Sequence, residues 1–154
     1  MRQSAIMISC LLALGCSGES VVTNEAAIQP MLGAVMNSRS EKVRALAAQS
    51  TGLEERDPSN QSTPIIAAAE TMQWEMVEVL LDHGANAWAH DQFGITAAET
   101  AQSSRVLPGS KQDQARLRVI DKLKARGYPF PPPKSDEVLK LVEEGRWPPV
   151  QARS

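Results

Sequence analysis

Between Thr63 and Thr96 the apolar residues fall into two short bursts of helical spacing, neither long enough to stand alone. In the first, Ile65, Ala68, Ala69 and Met72 lie at i, i+3, i+4 and i+7, the positions that share one face of a helix. Thr63 stands where an N-cap side chain accepts a first-turn amide, and Pro64 follows where a missing N–H costs nothing. In the second burst Met76, Val79 and Leu80 make a new stripe, and Gly84 supplies the left-handed residue that ends a helix. Asp91-Gln92-Phe93-Gly94 then reads as a hairpin-like turn, and Thr96 restarts the pattern. A fully buried apolar side chain contributes roughly 1.5–3 kcal/mol, but so short a helix pair cannot cover both of its own stripes. It has to stack on neighbours of its kind.

The stretch resembles an ankyrin repeat. Thr63-Pro64-Ile65 with Ala68-Ala69 stands for that family's Thr-Pro-Leu-His-x-Ala-Ala, Glu75 to Leu81 with Gly84-Ala85 matches its second helix and cap, and Gly94-Ile95-Thr96 opens the next repeat. Two residues depart from the pattern. Ile66 replaces the usual His, so that residue's hydrogen bonds to neighbouring turns are absent. Met72 replaces the Gly between the helices, where a positive φ disfavours Met, and that turn is expected to be built differently. The resemblance implies an all-α solenoid of about three helix-turn-helix repeats over residues 25–130, with 131–154 as a Pro-rich segment and a capping helix.

The flanks carry weaker copies. Ile28, Leu32 and Val35, with Met31 beside them, predict a helix from near Glu25, and Pro30 falls in its first turn or just ahead of it. Ser38-Arg39-Ser40-Glu41 has capping-box spacing ahead of Val43, Leu46 and Ala47. At an offset of 34, Val43 meets Val77, Leu46 meets Leu80, Ala47 meets Leu81 and Asp57 meets Asp91. Arg39, Glu41, Lys42, Arg44 and the Glu54-Glu55-Arg56 run read as a solvated face. Downstream, Ala97 to Ala101 is a small-residue helix, and Pro108-Gly109 is a turn. A helix follows with Leu117, Ile120 and Leu123 inward and Gly127 as its stop. Leu123-to-Gly127 repeats Leu80-to-Gly84 at a spacing of 43, which places about ten extra residues between the helices of that unit. Tyr128 to Pro133 reads as extended polyproline II. Ser135-Asp136-Glu137 caps a last helix striped by Val138, Leu141 and Val142, which either folds back over the last repeat or stays a mobile tail.

Ahead of the repeats, Arg2 and the apolar run Ala5 to Leu14 read as a signal peptide over 1–15, too short for the roughly 20 residues that span a bilayer. Ala13-Leu14-Gly15-Cys16 resembles a bacterial lipobox, with Ala13 in place of the usual Leu; a plain secretory signal with an incidental cysteine is the alternative. The chain has 2 cysteines, and Cys10 lies in the removed segment, so Cys16 would begin the mature chain with no thiol left to pair with. The lipobox resemblance implies lipidation at Cys16, a polar tether over 16–24, and a periplasm-facing anchor. Ser17 rather than Asp after the cysteine favours the outer membrane over the inner.

The inventory for chemistry is thin. His83 and His90 are the 2 histidines, and no His-Glu-x-x-His, Cys-x-x-Cys or Gly-rich phosphate loop occurs. No catalytic residue, metal ligand, cofactor or small-molecule substrate is therefore expected, and 16 basic against 18 acidic residues point away from nucleic acid. A periplasmic hydrolase is the least favoured reading. By the ankyrin resemblance, the face that meets a protein partner comprises Glu70, Thr71, Gln92, Phe93 and Ile95, with Trp88 and His90 on the same loop. Phe93, Ile95 and Trp88 are side chains of the kind that anchor interfaces, although Phe93 or Trp88 packing on an adjacent repeat is the alternative. Trp74 is expected in the core, and Trp147 over an apolar patch. Two uses compete: an envelope scaffold or accessory protein holding another protein, and an immunity protein neutralising a toxin delivered to the periplasm.

Overall fold

The computed structural model describes residues 29–149. The signal segment, Cys16, the tether, the start of the helix expected from Glu25, and the tail 150–154 lie outside the described residues. Among the described residues there are seven α-helices and no strand: α1 (Pro30–Met36), α2 (Ser40–Ala48), α3 (Pro64–Glu70), α4 (Trp74–Asp82), α5 (Ala97–Ser103), α6 (Lys111–Ala125) and α7 (Ser135–Glu143). The first six form three antiparallel pairs. Each first helix packs on the next first helix, α1 on α3 and α3 on α5, and each second helix on the next second, α2 on α4 and α4 on α6. Two layers result, with one continuous core between them.

That core is where the short stripes meet. Ile65, Ile66, Ala68 and Ala69 of α3 and Trp74, Val77, Leu80 and Leu81 of α4 are all at most 1 % exposed, so Trp74 is a core residue. Val43 and Ala47 of α2 are buried at the places that the offset of 34 assigns them. The backbone shows the same spacing. Ser38 (φ 52) and Met72 (φ 57) take left-handed conformations inside the first two pairs. Ser50, Gly84 and Gly127 do so after the second helices, and Gln61 and Gly94 in the links between pairs. The turn at Met72 is thus not built differently: Met takes the positive φ itself, with its side chain turned half out to solvent instead of into the stripe.

The links stack as well. Asp57 accepts from the Ser59 amide, and Asp91 accepts from the amides of Phe93 (2.9 Å) and Ile95 (2.8 Å). The tips are joined by the Gln92 amide donating to the Asn60 carbonyl (2.9 Å). Arg56 Nη1 donates to the carbonyls of Gln61 and His90. On the other layer α6 is clamped to α4 by Lys111–Glu75 (3.0 Å), Arg118–Glu78 (2.8 Å) and Lys122–Asp82 (2.6 Å). These exposed pairs set register more than they add stability.

Several local expectations are corrected. Helix α2 begins at Ser40 with Arg39 as N-cap and no side-chain cap bond, because Ser38 is spent on the left-handed turn; there is no capping box. Thr63 does occupy the N-cap of α3, but its hydroxyl makes no cap bond, whereas Thr96 accepts from the Glu99 amide. Glu54 is exposed, as a solvated face requires, while also accepting the Asn86 amide, but Glu55 and Arg56 are half-buried: Glu55 accepts the Met31 and Leu32 amides at the start of α1. In α6 Leu123 is buried and Ile120 packs against the core, but Leu117 is 49 % exposed, and Ala115 and Val119 complete the buried stripe in its place. The added length of that pair is not all between its helices: α6 itself has 15 residues against 9 in α4.

The stretch from Tyr128 to Lys134 holds no regular element and bends at residues 130–131, so it is not one extended run. Helix α7 has Lys134 as N-cap and no side-chain cap bond, which makes Ser135 its first residue and not its cap. Val138 is fully buried, but Val142 is turned outward. The segment does fold back, onto the links and not over the outer side of the last pair. A Cβ at Gly94 would lie 2.2 Å from the Ser135 carbonyl oxygen and 2.9 Å from Leu139 Cγ, so only Gly allows that approach.

Candidate binding face

The Asp91–Gly94 turn presents its side chains from a fixed frame. One carboxylate oxygen of Asp91 holds two amides of the turn, the Asp91 amide donates to the Ile95 carbonyl (3.1 Å), and Gly94 closes the loop at φ 82. Phe93 stands on this frame 57 % exposed, with Gln92 exposed beside it. Gln92 is only partly free, since its Nε2 donates to the Ser59 carbonyl of the neighbouring link (3.1 Å).

Ile95 is half-buried and forms the floor of a groove of about 440 Å³ together with Glu70, Glu99, Thr100, Ser103 and Ser135. One wall is the end of α3, the base is α5, and the other wall is the start of α7. Glu70 is exposed at its rim, and its carboxyl is held above the usual glutamate range by burial and by the nearby charge of Asp91. Thr71 is exposed as the C-cap of α3, where its hydroxyl donates to the Ala67 carbonyl (2.8 Å) and accepts from Gln73 Nε2 (2.7 Å).

Trp88 and His90 are built into the fold instead of standing free. The Trp88 ring stacks on Tyr128 at 4.1 Å and meets Trp147 edge-on at 5.5 Å, and Trp147 Nε1 donates to the Trp88 carbonyl (3.0 Å). The apolar patch that Trp147 covers is therefore Trp88 and Tyr128. Burial pushes the Tyr128 phenol up to about 12. His90 is half-buried, its Nδ1 2.8 Å from the Asp91 carbonyl oxygen and its own carbonyl taken by Arg56. So the structure brings Glu70, Phe93, Gln92 and Ile95 to one side, leaves Thr71 next to Glu70 with its hydroxyl engaged by Ala67 and Gln73, and withdraws Trp88 and His90.

No family model and no curated protein matches this chain.

Among the described residues, no group of three His, Cys, Asp or Glu side chains could hold a metal ion, and no helix is long and apolar enough to cross a membrane. His83 caps α4, with Nδ1 2.8 Å from the Val79 carbonyl oxygen, and is exposed. A second groove, of about 460 Å³, lies where the starts of α2, α4 and α6 converge; Glu41, Arg44, Met76 and Lys111 are among its walls. Residue periodicity gave no sign of either groove, because both are made by neighbouring pairs. Glu99 and Ser103 were missed as site residues, and the signal that points to them is spacing: with Ile95 they follow at four-residue steps along one edge.

Proposed function

We propose that the chain is an ankyrin-repeat solenoid that binds another protein, exported and held at the bacterial envelope by lipid on Cys16. The ankyrin reading is supported by the two stacked helix layers, the hydrogen-bonded links joined tip to tip, and the left-handed residues recurring at matching places in successive pairs. Ile66 is fully buried, so an apolar contact stands where the resembled family keeps its His.

The observation that carries the binding role is Phe93. A large apolar ring more than half exposed, on a turn whose backbone is fixed by Asp91, loses little conformational freedom when a partner covers it. The proposed activity is recognition: the acidic side chains of α4 are engaged with α6, and the exposed ring on the fixed turn is what a partner would cover. The proposed site is narrower than the ankyrin resemblance implies: it comprises Phe93, Gln92, Ile95 and Glu70.

Crosslinking and pull-down from detergent-extracted membranes, comparing the wild type with Phe93→Ala and Ile95→Ala, test the face. Each variant should lose the same partner band, with Phe93→Ala costing about tenfold or more in affinity. Equal recovery from all three would remove this face from the proposal.

A further inference from the structure

The groove along α5 carries charge that the fold leaves unpaired. The acidic residues of α4 that face α6 receive Lys111, Arg118 and Lys122. Among the described residues, no basic side chain comes within ion-pair distance of Glu70, Glu99 or Asp91. Asp91 is 1 % exposed; its Oδ1 holds the turn, and its Oδ2 is buried without a hydrogen bond. Glu99 Oε2 is likewise buried without a hydrogen bond. Burial first, and then the nearby charge of Asp91, raise the Glu70 carboxyl.

The hydroxyls of the groove add to the same polarity. The Thr100 hydroxyl donates to the Thr96 carbonyl (3.0 Å) and the Ser103 hydroxyl to the Glu99 carbonyl (2.9 Å), so their hydrogens are spent within α5. What they turn to the groove is lone pairs. A cleft of this kind offers acceptors and negative potential, with Ile95 as an apolar floor and Phe93 at the adjacent tip. A partly buried carboxylate without an ion-pair partner is costly, and a donor-rich cation on the groove side of Glu70 and Glu99 offsets that cost.

Resting on the binding-face reading above, we propose that the α3–α5 groove receives a lysine or arginine side chain of the bound protein. An apolar side chain next to that residue sits on Ile95 and Phe93. The cation lies between Glu70 and Glu99, and a guanidinium or ammonium fills its remaining donor positions with Thr100 and Ser103.

The probe is a random dodecapeptide library selected on the immobilised full chain, with Glu70→Gln/Glu99→Gln and Phe93→Ala as comparison chains of unchanged circular dichroism. The wild type should enrich peptides with Lys or Arg beside an apolar residue. Those peptides should bind the double Gln variant about tenfold more weakly, and bind the wild type more weakly in about 0.5 M salt. Peptides that need Phe93 but show no Lys or Arg preference, or that bind the double Gln variant equally well, would overturn the groove assignment while leaving the binding face standing. No enrichment, or enrichment indifferent to Phe93→Ala, would overturn both.

Discussion

Thr63 and Thr96 occupy the same place at the start of successive first helices, yet only one of them works as a cap. Thr96 accepts the Glu99 amide at 3.2 Å, while the Thr63 hydroxyl is buried with no hydrogen bond. The Ile66 amide of α3, which stands where Glu99 stands in α5, is not taken by the Thr63 hydroxyl, and Pro64-Ile65-Ile66, all buried, offer that hydroxyl no side-chain acceptor either. A buried hydroxyl without a partner carries its desolvation cost uncompensated, and an isosteric apolar group removes that cost. Thr63→Val should therefore leave stability unchanged or raise it, whereas Thr96→Val should lower it by about 1 kcal/mol. Urea unfolding of the two variants beside the wild type checks both signs at once. The N-cap positions were legible from Thr-Pro and from Ile-Thr ahead of an alanine-rich helix. Which threonine makes the bond was not, because it depends on what surrounds the hydroxyl in three dimensions. Met72 makes the same point: its position in the turn could be read from the sequence, but intrinsic backbone preference was outweighed by the packing of the helices on either side.

Helix α6 is the element in which sequence and structure differ most. The Leu-to-Gly spacing correctly placed its end at Gly127, where φ is 81, but its start lies more than a turn earlier than that alignment implied. The start is set by Ser110 and Asp113. The Ser110 hydroxyl accepts the Asp113 amide (3.1 Å), and the Asp113 carboxylate accepts the Gly109 amide (2.8 Å) and Arg116 Nη2 (2.7 Å). Ser110-x-x-Asp113 was there to be read as a cap, just beyond the Pro108-Gly109 turn. The cap of α1 was not readable. Its amides are taken by Glu55, 24 and 23 residues away, and no local pattern encodes that reach. The Gly109 amide first, and then Arg116, hold the Asp113 carboxyl below the ordinary aspartate value of 3.8. A carboxyl depressed in the folded state contributes stability that is fully present above 3.8 and is lost as the pH falls through the folded value. Asp113→Asn should therefore be clearly less stable than the wild type near neutral pH. The gap should close as the pH is lowered past 3.8 toward the folded value, read as thermal midpoints of both proteins across acid pH. A gap independent of pH would mean that the carboxylate charge is not what the cap uses.

Across the whole molecule, the three pairs form one stack, and the segment after Tyr128 ties the second link to the end of the third pair. Two contacts hold that segment at its ends: Ser135 and Leu139 against Gly94, and Trp147 against Trp88 and Tyr128. The existence of α7 and its apolar side were legible from Val138 and Leu141, but where it docks was not. A Gly in a turn says only that φ is positive, and here it also makes room for another backbone. Stability in stacked pairs is close to a sum over neighbouring contacts, so a clamp that bridges the second link and the end of the third pair couples units that otherwise meet only through their helices. Trp147→Ala removes the ring contacts and the indole donor to the Trp88 carbonyl. Trp147 is half-buried, so the loss should be about 2 kcal/mol, below that of a fully buried Trp. The variant should keep its helical circular dichroism, because the buried stripes of α1 to α6 do not include Trp147. Its emission should shift to the red as Trp88 gains water, while Trp74, fully buried in α4, stays unchanged. Measured together, urea unfolding and emission separate two cases. A loss of stability with a red shift identifies the segment as part of the folded unit; no change in either would mean that α7 and Trp147 rest on the links without holding them.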